Sequence, residues 1–175
     1  MHAAVFLLGR MGSGKTTISH SLGLARISAG DVSRALGPIG LTNDGLDPRE
    51  GAIQRGIEAG IVHGLHTGDV VVDGFPRQLG QLQTALDACN GHVPMFVHVQ
   101  NRHWLRNLTA RRRMDDVEQE IQTAHQQIGV LSALLHKLRT DSCAERFHVF
   151  KYDNRPPVEA ALEVLTVMHR LKGGQ

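Results

Sequence analysis

Eight residues near the start of the chain, Gly9-Arg10-Met11-Gly12-Ser13-Gly14-Lys15-Thr16, fit the spacing G-x-x-x-x-G-K-[ST] without a gap. Such a loop holds phosphate. Its glycines let the backbone curl so that successive N–H groups point inward at anionic oxygens, and the start of a following helix adds positive potential. Lys15 is placed to reach the β- and γ-phosphates of a nucleoside triphosphate, and the Thr16 hydroxyl to ligate Mg²⁺. Gly9, Met11, Gly12, Ser13, Gly14 and Thr17 are the other residues of this segment expected to bind ATP. The metal needs a further carboxylate, and Val70-Val71-Val72-Asp73 supplies one at the end of an apolar run, so Asp73 is expected to serve Mg²⁺.

These residues are useful only if strands and helices bring them together. Short β-rich runs alternate with longer segments of helical period, the pattern of βαβ units around a parallel sheet. Strands are expected over 3–8, 70–73, 95–99 and 147–152, with a shorter one at 25–27. The glycine loop then lies between the first strand and a helix-compatible run, 17–22. Asp47-Pro48-Arg49-Glu50 offers a capping side chain, then proline at the first helical position and glutamate at the third, so a helix is expected to start there and run towards Leu65. Val117, Ile121, Ala124, Ile128, Leu131, Leu135 and Leu138 form one apolar stripe on a long helix. We read that stripe as packing on the sheet, with a dimer seam as the alternative. Pro156-Pro157 opens the last helix.

Composition narrows the field. The 175 residues are 41% hydrophobic and 21% charged, which suits one α/β domain and excludes a disordered chain or an integral membrane protein. The first apolar run lacks a basic flank and leads into the glycine loop, so it reads as a strand, not a signal peptide. A formal net charge of +2 gives no broad positive field for nucleic acid, and 4% aromatics give no stacking platform for single strands. Cys89 and Cys143 have no paired spacing, which fits a reducing cytoplasm. His63 and His66, and His98 and His103, lack a cysteine or carboxylate to complete a ligand set, so Mg²⁺ is the metal expected. Arg102, Arg106, Arg111, Arg112 and Arg113 fall in one stretch that could hold a small, highly charged ligand.

Asp73 opens Asp73-Gly74-Phe75-Pro76-Arg77, and the chain also carries Ile27-Ser28-Ala29-Gly30-Asp31-Val32-Ser33-Arg34. Together with the glycine loop, and in this order, these motifs resemble the nucleoside monophosphate kinases, the family of adenylate kinase and UMP/CMP kinase. The likeness continues through the helix start at Asp47 and Arg113-Met114-Asp115-Asp116 to the last strand and helix, and so spans nearly the whole chain. It implies a P-loop NTPase fold with a five-stranded parallel sheet flanked by helices, one kinase domain over 1–175, and an acceptor-binding insertion at 28–66. It also implies that Ser28, Ala29, Arg34, Gly74, Arg77, Gln81 and Arg113 meet a nucleoside monophosphate. In that arrangement Arg34 and Arg77 clamp its phosphate and Gln81 reads an adenine edge. Arg111 would reach ATP, and Lys15, Arg77, Arg111 and Arg113 would carry the transfer. A monomer is expected, with a homodimer as the alternative.

The chain departs from that family in its middle. Thr109-Ala110-Arg111-Arg112-Arg113-Met114-Asp115-Asp116 leaves almost no residues for the family's lid, which is reduced to a vestige near 109–114. The roles of Arg106, Arg111, Arg112 and Arg113 are open, because two ungapped placements give different registers. A further family arginine falls at Ala124, beside His125. Weaker water exclusion and charge neutralisation should follow, with slow turnover or a specialised acceptor. Ala29 points to a pyrimidine acceptor and Gln81 to AMP, so both stay open. Two further readings stand beside this one. The first is a P-loop kinase acting on an alcohol, as shikimate-kinase-like proteins do, with Asp31 as its base. The second is a nucleotide-binding regulator with little transfer activity.

Overall fold

The computed structural model describes residues 1–37, 50–110, 117–140, 146–153 and 155–174, and for 117–127 the backbone alone. Its elements in chain order are β1 (Ala3–Leu8), α1 (Lys15–Ser21), β2 (Ala25–Ser28), α2 (Ala29–Ala35), α3 (Glu50–Thr67), β3 (Val70–Asp73), α4 (Leu82–Cys89), β4 (Val93–Gln100), α5 (Trp104–Ala110), α6 (Val117–Thr140), β5 (Phe147–Lys151) and α7 (Pro157–Gly173). The strands form a five-stranded sheet in the order β2-β3-β1-β4-β5, and every pairing is parallel. With helices on both faces, this is the P-loop NTPase fold.

The central strand shows why the sheet forms. Every residue of β1 is buried, as a parallel strand covered on both faces requires. Its side chains alternate between two cores. Ala4, Phe6 and Leu8 join Ile57 and Ile61 of α3, Ala85 of α4, and Leu134 and Leu138 of α6. Ala3, Val5 and Leu7 join Ile18 of α1 and Ala160, Val164 and Met168 of α7. Phe6 stacks on Phe96 of β4 with ring centroids 4.9 Å apart, which fixes the register of that pair from inside the first core. Pro157 sits at the first turn of α7, where a missing N–H costs nothing.

The expected strands at 3–8 and 70–73 match the observed bounds, while β2 and β4 are longer and β5 ends one residue earlier than expected. Helix α3 begins at Glu50, and the capping residues Asp47, Pro48 and Arg49 lie outside the described residues. The stripe on α6 packs on the sheet core through Leu131, Leu135 and Leu138, joined by Leu134, which the stripe leaves out. Among the described residues no helix is long and apolar enough to cross a membrane. Cys89 is a free, buried thiol, pushed up to about 12 by burial, and Cys143 lies outside the described residues.

Strand order determines where a ligand can enter. From β1 the chain passes to β2 and β3 on one side of it, then to β4 on the other. Loops leaving the carboxyl ends of the strands therefore diverge at β1, the position where open parallel sheets bind ligands.

Candidate phosphate-transfer site

The glycine loop opens at that point of divergence. Gly9, Gly12 and Gly14 all have positive φ, at 143°, 77° and 97°. For Gly12 and Gly14 space enforces the choice as well as backbone angle. A Cβ on Gly12 would collide with the Trp104 carbonyl oxygen of α5, and one on Gly14 would lie 2.5 Å from the Tyr152 ring. The loop is thus pressed against α5 and the chain just past β5. Lys15 folds its ammonium back over the loop and donates to the carbonyl oxygens of Gly9 and Arg10, each at 2.8 Å. Asn107 of α5 donates from Nδ2 to the Gly12 carbonyl at 3.1 Å, and the Arg10 guanidinium lies over the Trp104 ring at 5.5 Å.

Register brings the next groups in. Leu7 of β1 and Ser28 of β2 both pair with Asp73 of β3, so three strand ends meet beside the loop. Thr16 donates its hydroxyl to Asp73 Oδ2 at 2.7 Å. Arg26 of β2 lies behind them. Its Nη2 is 3.5 Å from Asp73 Oδ2, its Nη1 is 2.5 Å from Asp31 Oδ2, and its Nε donates to Ser19 Oγ at 3.0 Å. Asp31 also pairs with Arg34. Hydrogen bonding from Arg26 holds the Asp31 carboxyl below its ordinary value, against the smaller opposing effect of burial, and Arg34 adds to the lowering. Ser28 caps α2 by accepting from the Asp31 N–H at 3.3 Å.

The chain leaves β3 through Gly74, at a φ of 81°, and a cis Phe75–Pro76 peptide, and Arg77 lines the same cleft. Arg77 Nε donates to the Gly74 carbonyl at 2.8 Å. Its main-chain N–H donates to Gln81 Oε1 at 2.8 Å, and Gln81 Nε2 donates to Glu50 Oε1 at 3.2 Å. Gln81 is consequently only 6% exposed.

The resulting cleft has a volume of about 690 Å³. Met11, Gly12, Gly14, Lys15, Thr16 and Thr17 of the glycine loop and α1 line it together with Ser28, Arg34, Asp73, Gly74 and Arg77. Four cationic side chains, Lys15, Arg26, Arg34 and Arg77, line the cleft with one carboxylate, Asp73, an excess of positive charge that suits a polyanion. Ala29 and Gln81 line an adjoining hollow of about 140 Å³ that shares Gly74 and Arg77 with the cleft. Gly9 lines a third hollow, of about 320 Å³, on the α6 side of the loop, and Ser13 is buried beneath the loop. Arg111 and Arg113, with most of the vestigial lid, lie outside the described residues, and nothing is described of the Ala124 and His125 side chains.

The Thr16 hydroxyl and the Asp73 carboxylate are hard oxygen donors that already converge, and they fit Mg²⁺, which takes one or two carboxylates and completes its shell with water and phosphate oxygens. Among the described residues no group of three or more His, Cys, Asp or Glu forms a dedicated metal cage. Three side chains that hold the site's residues in place escaped sequence reasoning: Arg26, Asn107 and Glu50. Only Arg26 leaves a signal in the sequence, an arginine between the apolar neighbours Ala25 and Ile27 of a short strand.

No protein-family model and no curated protein sequence matches the chain. Solved structures do match it. A gluconokinase from Sinorhizobium meliloti 1021 superposes with a TM-score of 0.63 at 16% identity, covering 97% of this chain and 93% of that one. Shikimate kinase from Acinetobacter baumannii, in complex with shikimate, superposes with a TM-score of 0.56 at 14% identity, covering 99% and 96%. At such identities the likeness extends to the fold: the chain shares the architecture of these two kinases from end to end.

Proposed function

We propose that the protein is an ATP-dependent phosphotransferase of nucleoside monophosphate kinase type, moving the γ-phosphoryl group of ATP to the phosphate of a nucleoside monophosphate. One observation carries the reading: Arg34 and Arg77 line the same cleft as Lys15, Thr16 and Asp73, so cationic groups suited to a second phosphate share the cleft with the glycine loop. Guanidinium suits that task because its planar fork pairs with two oxygens at once. A monophosphate oxygen is already anionic and needs no general base. The protein has to align two polyanions and neutralise charge during in-line transfer. Lys15 would exchange the carbonyl oxygens it now holds for β- and γ-phosphate oxygens. Arg26 would keep Asp73 in place beside Thr16. Mg²⁺ bound with the triphosphate would supply further charge neutralisation at the transferring group.

The alternative, an alcohol acceptor, draws support from the two structural neighbours, described as a gluconokinase and a shikimate kinase. It would need Asp31 as a base. Asp31 is bonded to Arg26 and paired with Arg34, and its carboxyl is held below the ordinary range, which makes it a poor proton acceptor near neutral pH. That weighs towards the monophosphate.

The test is to incubate the protein with ATP, Mg²⁺ and either a panel of ribo- and deoxyribonucleoside monophosphates or a panel of sugar and polyol alcohols, and to identify products by chromatography. We expect a monophosphate to be converted to its diphosphate. Lys15→Ala and Arg77→Ala should each reduce kcat/KM by about 100-fold or more. Undiminished transfer in Lys15→Ala, or transfer to an alcohol alone, would overturn the assignment.

A further inference from the structure

The hollow next to Arg77 has a chemical bias of its own. Ala29, Ile53, Ile57 and Phe75 give it apolar walls suited to a flat ring, and its polar groups are Glu50, Gln54 and Gln81 besides Arg77. The two amides are committed. Gln81 Oε1 accepts from the Arg77 N–H and Gln81 Nε2 donates to Glu50. The two partners fix which way the Gln81 amide points, because an N–H donor at one end demands the oxygen there. Gln54 Nε2 donates to Glu58 Oε1 at 3.1 Å and Thr84 Oγ1 at 3.0 Å.

Glu50 is left. Its Oε1 accepts from Gln78 Nε2 at 3.0 Å and Gln81 Nε2 at 3.2 Å, while Oε2 has no partner among the described residues. A carboxylate offers about four lone-pair sites and no donor, so two amide bonds leave acceptor capacity to spare. The hollow therefore presents acceptors to whatever enters it.

We infer that Glu50 is a specificity-determining residue for the acceptor, and that the base it selects presents two adjacent N–H donors, as the guanine edge does with N1–H and N2–H₂. The inference rests on the nucleoside monophosphate reading above and adds the base to it. Adenine offers one donor beside an acceptor nitrogen, which a carboxylate repels; cytosine has the same mismatch; uracil has one donor flanked by two acceptors. Gln81 then acts as a positioning residue. Through one amide it ties Glu50, at the base, to the main chain of Arg77, at the phosphate. Ala29 supplies room, since a larger side chain there would fill the wall next to Gly74.

The experiment compares guanosine, adenosine, uridine and cytidine monophosphates in two assays, transfer from ATP and equilibrium binding by calorimetry, for the wild type and Glu50→Gln. Glu50 is exposed at the start of α3, and thermal unfolding of the variant checks that the fold survives. We expect the guanosine nucleotide to have the highest kcat/KM and the tightest binding. In Glu50→Gln its advantage over the adenosine nucleotide should fall by roughly 100-fold, as loss of charge-assisted hydrogen bonds to Oε2 implies, with melting unchanged. A purely structural role would lower all four nucleotides together and leave their ranking intact, which would overturn the inference, as would a wild type that prefers any other base. The two readings fail separately. Guanosine-selective binding without transfer to any monophosphate would sink the kinase assignment and keep the base assignment, and transfer that favours adenosine would do the reverse.

Discussion

Arg26 shows how much of this site depends on a side chain whose partners are remote in sequence. It is 19% exposed and reaches Ser19, Asp31 and Asp73 at once. Among the described residues Asp73, 7% exposed as a side chain, would otherwise keep only the Thr16 hydroxyl. Removing the guanidinium leaves the buried Asp73 without its cation and the half-exposed Asp31 with Arg34, so Arg26→Ala should destabilise the nucleotide-free protein by about 2 kcal/mol, measured by urea unfolding. Arg26→Lys should recover only part, because an ammonium cannot bridge three partners with one rigid fork. Equal stability of wild type and Arg26→Ala would mean that the network is ornamental. The contrast with Lys15, Thr16 and Asp73 explains what could be read beforehand. Those three are recognisable because the chemistry of phosphate fixes their spacing within one loop or their place at a strand end. The partners of Arg26, and the link from Glu50 through Gln81 to Arg77, are assembled by register and helix packing, which no local spacing encodes.

At the scale of elements, helix α6 separates what periodicity reveals from what it hides. The stripe that ends in Leu131, Leu135 and Leu138 follows alternating three- and four-residue steps, yet Leu134 is fully buried and Leu135 retains 9% exposure. A helix laid on a sheet buries an arc of about 100° or more, wider than a single heptad seam, so Leu134 belongs to the same face one step around the cylinder. Leu134→Ala should therefore cost about 2–5 kcal/mol, because it leaves a cavity among Phe6-side core residues, whereas Val130→Ala, at a position 45% exposed, should change stability by no more than about 0.5 kcal/mol. Chemical denaturation of both variants checks the pair, and a comparable cost at the two positions would contradict the packing described. Strands were legible for a related reason. Fully buried parallel strands must be continuous apolar runs, and Val70-Val71-Val72 can hardly be anything else. Their order was not, since placing β3 between β1 and β2 depends on which helix covers which face.

For the molecule as a whole, the same burial that secures the sheet makes it sensitive to acid through histidine. His98 of β4 lies beside the phosphate loop, and its pKa falls from an ordinary 6.5 to about 4, chiefly because burial penalises the charged ring, with Arg139, Arg10 and Lys15 adding repulsion. The sign follows from proton counting. Between about pH 6.5 and pH 4 the unfolded chain binds a proton at this ring and the folded chain does not, so stability rises with pH across that window and falls as pH drops through it. At pH 5 the loss from His98 should be about 1–2 kcal/mol, after discounting for its partial access to solvent. His148 shifts in the same direction, again through burial, and contributes to the slope in any variant that keeps it. The comparison that isolates His98 is thus wild type against His98→Gln, each unfolded in urea at pH 7 and pH 5. The wild type should lose about 1–2 kcal/mol more than the variant over that interval, while His148 cancels between them. Parallel losses would show that the ring gains its proton freely in the folded state. The repulsion from Arg10 and Lys15 adds a further consequence under the proposed function, because the negative charge of a triphosphate held by the loop would offset it. Nucleotide should then move the His98 titration, followed by NMR, upwards towards its ordinary value while burial and Arg139 hold it below, linking occupancy of the loop to the charge state of the neighbouring strand.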